Sequence, residues 1–154
     1  MPAPQRGTVP RIVVGVDGSP SSQEALRWAV RQAGLTGGTV DAVMAWAYPS
    51  AIGGYGWAPA AMIEEWDFAE IAAKALADEI GSVVDANSGV SVRPLVVQGN
   101  PAQALLDAAV GADLLVVGSR GHGGFAGALL GSVSQHCVHY APGPVAVIRG
   151  DRHP

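Results

Sequence analysis

Lysine is almost missing from this 154-residue chain: of nine basic residues eight are arginine, and Lys74 is the single lysine. No Gly-Lys-Ser or Gly-Lys-Thr can be written, which excludes a P-loop, and a Schiff-base lysine would have to be Lys74. Cysteine is reduced to Cys137, so an internal disulfide is excluded and a reducing compartment is expected. Charged residues make up 14% of the chain, against about 25% in an average soluble domain. The formal charge of −4 speaks against a basic, nucleic-acid-coating surface. Residues 1–10 hold no apolar core of a signal peptide. No apolar run approaches the roughly 18 residues that span a bilayer. A cytoplasmic protein with neither nucleic acid nor membrane as partner is the expectation.

What is present is apolar: 49% of residues, enough to exclude a disordered chain. There are 21 glycines and 11 prolines without a Gly-X-Y period, so collagen is excluded. The length suits one domain. Residues 1–10, with three prolines, read as a loose arm, and 11–150 as a single domain.

Residues 11–16, Arg-Ile-Val-Val-Gly-Val, form a β-branched run of the kind found in strands buried on both faces. Ser19-Pro20 opens a helix, with Ser19 as N-cap and Pro20 at the first helical position. Its apolar face is Ala25, Leu26, Ala29, Val30 and Ala33, and Gly37-Gly38 closes it. A second strand is expected over 40–46, then a long Gly/Pro/Ala-rich loop over 48–59 carrying Tyr55 and Trp57. A long helix follows over 60–86, with Met62, Trp66, Ala69, Ala73, Leu76, Ile80 and Val83 as its apolar stripe. Strands are expected at 91–97, 113–117 and 144–148, with helices at 103–110, capped by Asn100-Pro101, and at 132–141. Alternating apolar strands and helices predict an α/β fold, a parallel sheet covered on both faces.

In such sheets ligands bind beyond the carboxyl ends of the strands, where strand order reverses. Two motifs lie at strand ends: Gly15-Val16-Asp17-Gly18-Ser19, and the segment 118–132 that begins Gly118-Ser119-Arg120-Gly121-His122 and ends Leu130-Gly131-Ser132. Six glycines occur among residues 118–131. Glycine lets successive N–H groups turn inward as an anion nest, and the segment runs into a helix N-terminus, which also favours negative charge. No Asp or Glu occurs between Asp113 and Asp151, whereas Arg120 and Arg149 do. This points to a phosphate ligand. Ser132 with Gln135 fits a capping box, so Ser132 is the expected N-cap, a role compatible with anion binding. Arg120 reads either as a phosphate contact or as a solvated loop residue. Gly121-His-Gly-Gly-Phe-Ala126 satisfies the dinucleotide fingerprint G-x-G-x-x-A, but no acidic residue follows about 20 positions on and only one strand remains, so that reading is rejected.

These residues resemble the universal stress protein family. Its nucleotide-binding members carry G-x2-G-x9-G-(S/T), and Gly118, Gly121, Gly131 and Ser132 fit that spacing. The resemblance extends to Val14-Gly-Val-Asp-Gly-Ser19, Gly99-Asn-Pro101, the segment 132–139 and Pro144-Val-Ala-Val147, and covers residues 9–149. It implies a Rossmann-like three-layer sandwich, a five-stranded parallel sheet of order 3-2-1-4-5 with four helices, that binds ATP with Mg²⁺ and forms a homodimer through the fifth strand, Val145–Ile148. Gly118, Gly121, Gly131 and Ser132 would hold phosphates and ribose, with Val133 following in the same turn; Ser119 and Arg120, between the first two glycines, are counted with the candidate cofactor-binding residues. Asp17 would lie near the adenosine or its metal, with Gly15 beneath. Ala45 would line the adenine pocket through its backbone and Gly99 would close the ribose side.

The function this implies is an ATP-responsive stress or regulatory module, not a fast enzyme. No base is placed by sequence to activate water, and no arginine finger stands out. The alternatives are a slow ATPase or adenylyl-transferring enzyme, and a cyclic-AMP-binding module of the same fold. His136 and His139 have metal-ligand spacing but no third ligand. Cys137 is expected in the core. Tyr55 and Trp57 read either as a cover for adenine or as an exposed loop, and His122 as a solvent-facing loop residue.

Overall fold

A computed structural model describes residues 9–47, 67–120 and 130–150. The arm over 1–8, the aromatic loop with Tyr55 and Trp57, the segment 60–66 with Met62 and Trp66, and Gly121 and His122 lie outside the described residues.

The elements follow in the order β1 (Arg11–Gly15), α1 (Pro20–Thr36), β2 (Thr39–Trp46), α2 (Phe68–Val83), β3 (Val92–Gln98), α3 (Pro101–Ala108), β4 (Leu114–Gly118), α4 (Ser132–Tyr140) and β5 (Val145–Ile148). The five strands form one sheet of order β3-β2-β1-β4-β5, and every neighbouring pair is parallel. The expected α/β architecture is observed, with four helices among the described residues. Strand order runs outward from β1 to β3 and resumes on the other side with β4, so it reverses between β1 and β4.

Alternation along the central strands builds two cores. Ile12, Val14 and Val16 of the first strand and its extension face α1 and α2, packed with Ala25, Leu26, Ala29, Val40, Leu76 and Val116. Val13 points the other way, with Val43, Leu105, Leu115, Val117 and Cys137, beneath α3 and α4. Leu26, Leu76 and Leu115 are at most 1% exposed, and burying each stabilises the fold by about 1.5–3 kcal/mol.

Helix punctuation follows side-chain chemistry. The Ser19 side chain accepts from the Ser22 N–H at 3.3 Å, Pro20 occupies the first turn, and Gly37 closes α1 with φ +72°. Asn100 accepts from the Gln103 N–H at 3.1 Å at the start of α3. The long second helix is shorter than its sequence pattern predicts. Asp67 is extended, with φ −89° and ψ 90°, and its carboxylate accepts from the Glu70 N–H at 3.0 Å, so Phe68 begins the helix. Within it Ala72 and Leu76 are buried and Ala73 is exposed. The contact line therefore runs 72–76–80, and Ala73 sits off it because it is rotated about 100° round the helix from Ala72.

At the amino ends of the strands, Asp41 of β2 is 3% exposed and bridges two arginines. Arg11 Nη1 donates to its Oδ2 at 3.0 Å, and Arg93 donates from Nε to Oδ1 at 3.1 Å and from Nη2 to Oδ2 at 2.9 Å. Burial alone would raise the carboxyl pKa; the hydrogen bonds and charges of Arg93 and Arg11 outweigh it and hold it below the usual value.

Candidate functional site

The reversal between β1 and β4 places two segments side by side at their carboxyl ends. From β1 the chain continues through Val16, whose N–H donates to Val43 O at 2.9 Å, to the exposed Asp17. Asp17 Oδ1 accepts from the Ser19 N–H at 2.9 Å and its own N–H donates to Ser22 Oγ at 3.2 Å. This is an Asx turn that feeds directly into the cap of α1.

From β4 the chain leaves through Gly118, Ser119 and Arg120. The Ser119 N–H donates to Ile148 O at 2.8 Å, and Ser119 O accepts from the Gly131 N–H at 2.7 Å and from Ser134 Oγ at 3.1 Å. Residue 119 thus meets residue 131 again across the intervening segment. The next peptide is fixed by α1: the Arg120 N–H donates to Ser21 Oγ at 3.2 Å, Ser21 Oγ donates in turn to Arg120 O, and Ser19 Oγ reaches the same carbonyl at 3.3 Å.

Helix α4 starts at this junction, but its cap differs from the sequence expectation. Gly131, not Ser132, is the N-cap, with φ −73° and ψ 167°, and among the described residues no side chain caps the helix. Ser132 is the first helical residue and is exposed, so its hydroxyl does not form the expected capping box with Gln135. The reason is the contact between residues 131 and 119, which holds the turn one position earlier than the Ser-x-x-Gln pattern. The first intrahelical bond runs from the Gln135 N–H to Gly131 O at 3.0 Å. The amides of 132–134 therefore have no intrahelical acceptor, and such a terminus favours an anion.

Ala45 and Gly99 lie at the carboxyl ends of β2 and β3, half-buried, joined through the Gly99 N–H to Trp46 O bond of 2.8 Å. Gly99 has φ +142°, a conformation that an L side chain rarely adopts. The structure thus puts every described candidate (Gly15, Asp17, Ala45, Gly99, Gly118, Ser119, Arg120, Gly131, Ser132 and Val133) on the carboxyl edge of the sheet. Asp17, 118–120 and 131–133 cluster at the reversal, while Ala45 and Gly99 flank it on the side of β2 and β3. Gly15 has a packing role of its own, because a Cβ there would stand 2.8 Å from Leu105 Cδ1.

Two residues of this junction escape the sequence reading. Ser21 acts on a residue 99 positions away, and Ser134 on one 15 positions away. Neither carries a local signal beyond being a serine near a helix start. Lys74 lies on the exposed side of α2, 3.4 Å from Asp78, and brings no charge to the junction. His136 and His139 are exposed on α4. Among the described residues no group of three His, Cys, Asp or Glu could hold a metal ion, and no helix is long and apolar enough to cross a membrane.

Both the sequence and the fold have known relatives. The model of the universal stress protein family matches residues 8–149. Universal stress protein Rv1996 of Mycobacterium tuberculosis (strain ATCC 25618 / H37Rv) is 38% identical over 155 residues, taking in 99% of this chain and 48% of that protein. The chain spans about half the length of the curated relatives it matches. Among solved structures, the universal stress protein UspA from Lactobacillus plantarum superposes with a TM-score of 0.73 at 26% identity, covering 91% of this chain and 97% of that one. A universal stress protein solved in complex with cAMP superposes with a TM-score of 0.62 at 27% identity, covering 93% and 98%.

Proposed function

The chain belongs to the universal stress protein family, and from that premise we propose that the cleft outside β1 and β4 binds an adenine nucleotide, ATP with Mg²⁺ foremost, and acts as a nucleotide-responsive regulatory module. The observation that carries this reading is the meeting of Asp17, residues 118–120 and residues 131–133 where strand order reverses, at a helix start with no side-chain cap among the described residues. Phosphate is held there by backbone amides and the α4 terminus, with Arg120 beside them, and lysine takes no part. Gly15 lies beneath, and Ala45 and Gly99 line the adenine and ribose side. Gly121, on the family spacing, belongs to the same phosphate-binding set.

The donor set suits Mg²⁺ in a particular way. Asp17 is a single exposed carboxylate with one oxygen engaged by the Ser19 N–H. That fits an ion that keeps several waters and is carried mainly by phosphate oxygens, with one carboxylate as its protein ligand. Turnover is at most slow in this reading, because nothing in it assigns a base to activate water. β5, four apolar half-buried residues at the edge of the sheet, is the surface through which we expect two copies to pair, and the cytoplasm is the expected location.

A second reading, cAMP in place of ATP, is favoured by the solved relative that carries cAMP. Calorimetry decides between them. Mg-ATP is expected to bind, cAMP to compete for the same site more weakly, and Gly121→Val to lose both. Tighter binding of cAMP than of ATP would favour the second reading. No heat with Mg-ATP, AMP or cAMP, together with no nucleotide released on denaturation, would sink both.

A further inference from the structure

We propose that Ser21 is a positioning residue of the nucleotide site, one whose hydroxyl sets the backbone conformation at Arg120, where the chain leaves β4 into the phosphate segment. The inference rests on the nucleotide reading above and adds to it a residue that the family spacing does not contain. Ser21 sits in the first turn of α1 and is 6% exposed. Its Oγ engages the backbone groups on both sides of one Cα, in successive peptide units: it accepts from the Arg120 N–H at 3.2 Å and donates to Arg120 O. A serine hydroxyl has one donor and two acceptor sites, so both bonds can be made at once. A residue that only anchored a helix would need one of them. Holding the N–H and the C=O together fixes the rotation of residue 120, and with it the direction in which the chain leaves β4.

Packing keeps Ser21 in that place. A Cβ on Gly118 would stand 2.6 Å from Ser21 Oγ, and a Cβ on Gly150 would stand 3.2 Å from Ser21 Cα, Cβ and N. Ser21 is thus enclosed by the chain leaving β4, which abuts its hydroxyl, and the chain leaving β5, which abuts its backbone and Cβ. Ser119, one residue earlier, is fixed independently by Ile148, Gly131 and Ser134. Residue 120 is held in turn from α1, through Ser21 with Ser19 in support at 3.3 Å. Preorganised groups raise affinity by lowering the ordering cost of binding, and this device orders the described end of the phosphate segment before ligand arrives.

The test compares Ser21→Ala and Ser21→Cys with the parent, using Mg-ATP and adenosine as separate probes and amide hydrogen exchange at Arg120 in the ligand-free protein. Asp41→Asn serves as a control that loses stability at the opposite end of the sheet. Ser21→Ala is expected to weaken Mg-ATP about tenfold, the effect of roughly one lost hydrogen bond. Adenosine, which lacks phosphate, should stay within about twofold, and the Arg120 amide should exchange about tenfold faster or more. Ser21→Cys keeps the shape with weaker bonding and should fall between parent and Ser21→Ala; it carries the test if Ser21→Ala does not fold. Asp41→Asn should change neither affinity nor Arg120 exchange. Equal losses for ATP and adenosine, or unchanged Arg120 exchange, would show Ser21 to be merely structural and overturn the inference. A parent that binds ATP with an unaltered Ser21→Ala variant overturns this inference alone, whereas a parent that binds no adenine nucleotide overturns the functional reading as well.

Discussion

Gly118 lies so close to Ser21 that a methyl group on it would stand 2.6 Å from the serine Oγ and 2.7 Å from its carbonyl carbon. Gly15 has a neighbour nearly as near, Leu105 Cδ1 at 2.8 Å, but that atom ends a flexible side chain while Ser21 presents backbone. The two glycines should therefore respond differently to the same substitution. Gly118→Ala must push the start of α1 off the sheet and should cost about 2–3 kcal/mol, whereas Gly15→Ala asks only for a leucine rotamer change and should cost about 1 kcal/mol. At roughly 2–4 °C per kcal/mol for a chain of this size, thermal denaturation separates them. Equal melting temperatures would refute this account of Gly118.

Asp41 gives the fold an acid-sensitive joint. Its folded pKa lies below the ordinary value of 3.8, because Arg93 and Arg11 outweigh the effect of burial. In the window between the unfolded and folded values the unfolded state binds more protons, so stability rises with pH there. The contribution is present above about pH 4 and is lost as pH falls through the folded value. Asp41→Asn should cost roughly 2 kcal/mol at pH 7, at the low end for charged hydrogen bonds because Arg93 is open to solvent. Urea melts from pH 6 down to pH 2.5 are expected to converge for parent and variant at the acid end. A constant gap across that range would mean that the carboxylate charge contributes nothing.

How much of this was legible beforehand depended on sequence distance. The β-branched runs, the caps Ser19 and Asn100 and the stop at Gly37 are local devices, and each is found where its residues place it. Strand order came from resemblance, since apolar runs carry no record of which neighbour they choose. The Arg11–Asp41–Arg93 bridge was illegible for the same reason: an aspartate inside an apolar strand signals a partner but does not name it until β1 and β3 are known to flank β2. Ala73 fits the apolar stripe of α2 in sequence yet lies off its contact line, because alanine suits either side of such a line. At Gly131 a good local pattern, Ser-x-x-Gln, lost to a contact with Ser119, twelve positions back. Ser21 and Gly118 explain each other only in three dimensions.

Cys137 is fully buried in the core beneath α3 and α4, and burial pushes its thiol pKa up from the usual value. Both effects withhold the thiolate that reacts with disulfide reagents. Ellman's reagent at pH 8 should modify native protein at least about a hundredfold more slowly than protein in denaturant, because reaction needs local or global opening. Rapid stoichiometric modification without loss of helical circular dichroism would contradict the packing described for α4.

Asp17 discriminates between two ways of meeting the nucleotide. In the proposed site it faces a polyphosphate, which without Mg²⁺ is repulsion and with Mg²⁺ is ligation. At about 100 times its Kd, Mg-ATP should stabilise the parent by about 2.7 kcal/mol, which is roughly 5–10 °C in melting temperature. Asp17→Asn keeps an oxygen to accept the Ser19 N–H, so the turn and the α1 cap should survive while the charge is lost. The variant should then bind ATP in EDTA as well as the parent or better, and gain little when Mg²⁺ is added. A variant that loses ATP equally with and without Mg²⁺, and loses adenosine too, would place Asp17 on the nucleoside and remove it from the metal. Since adenosine carries no phosphate, its affinity separates these two roles without any assumption about turnover.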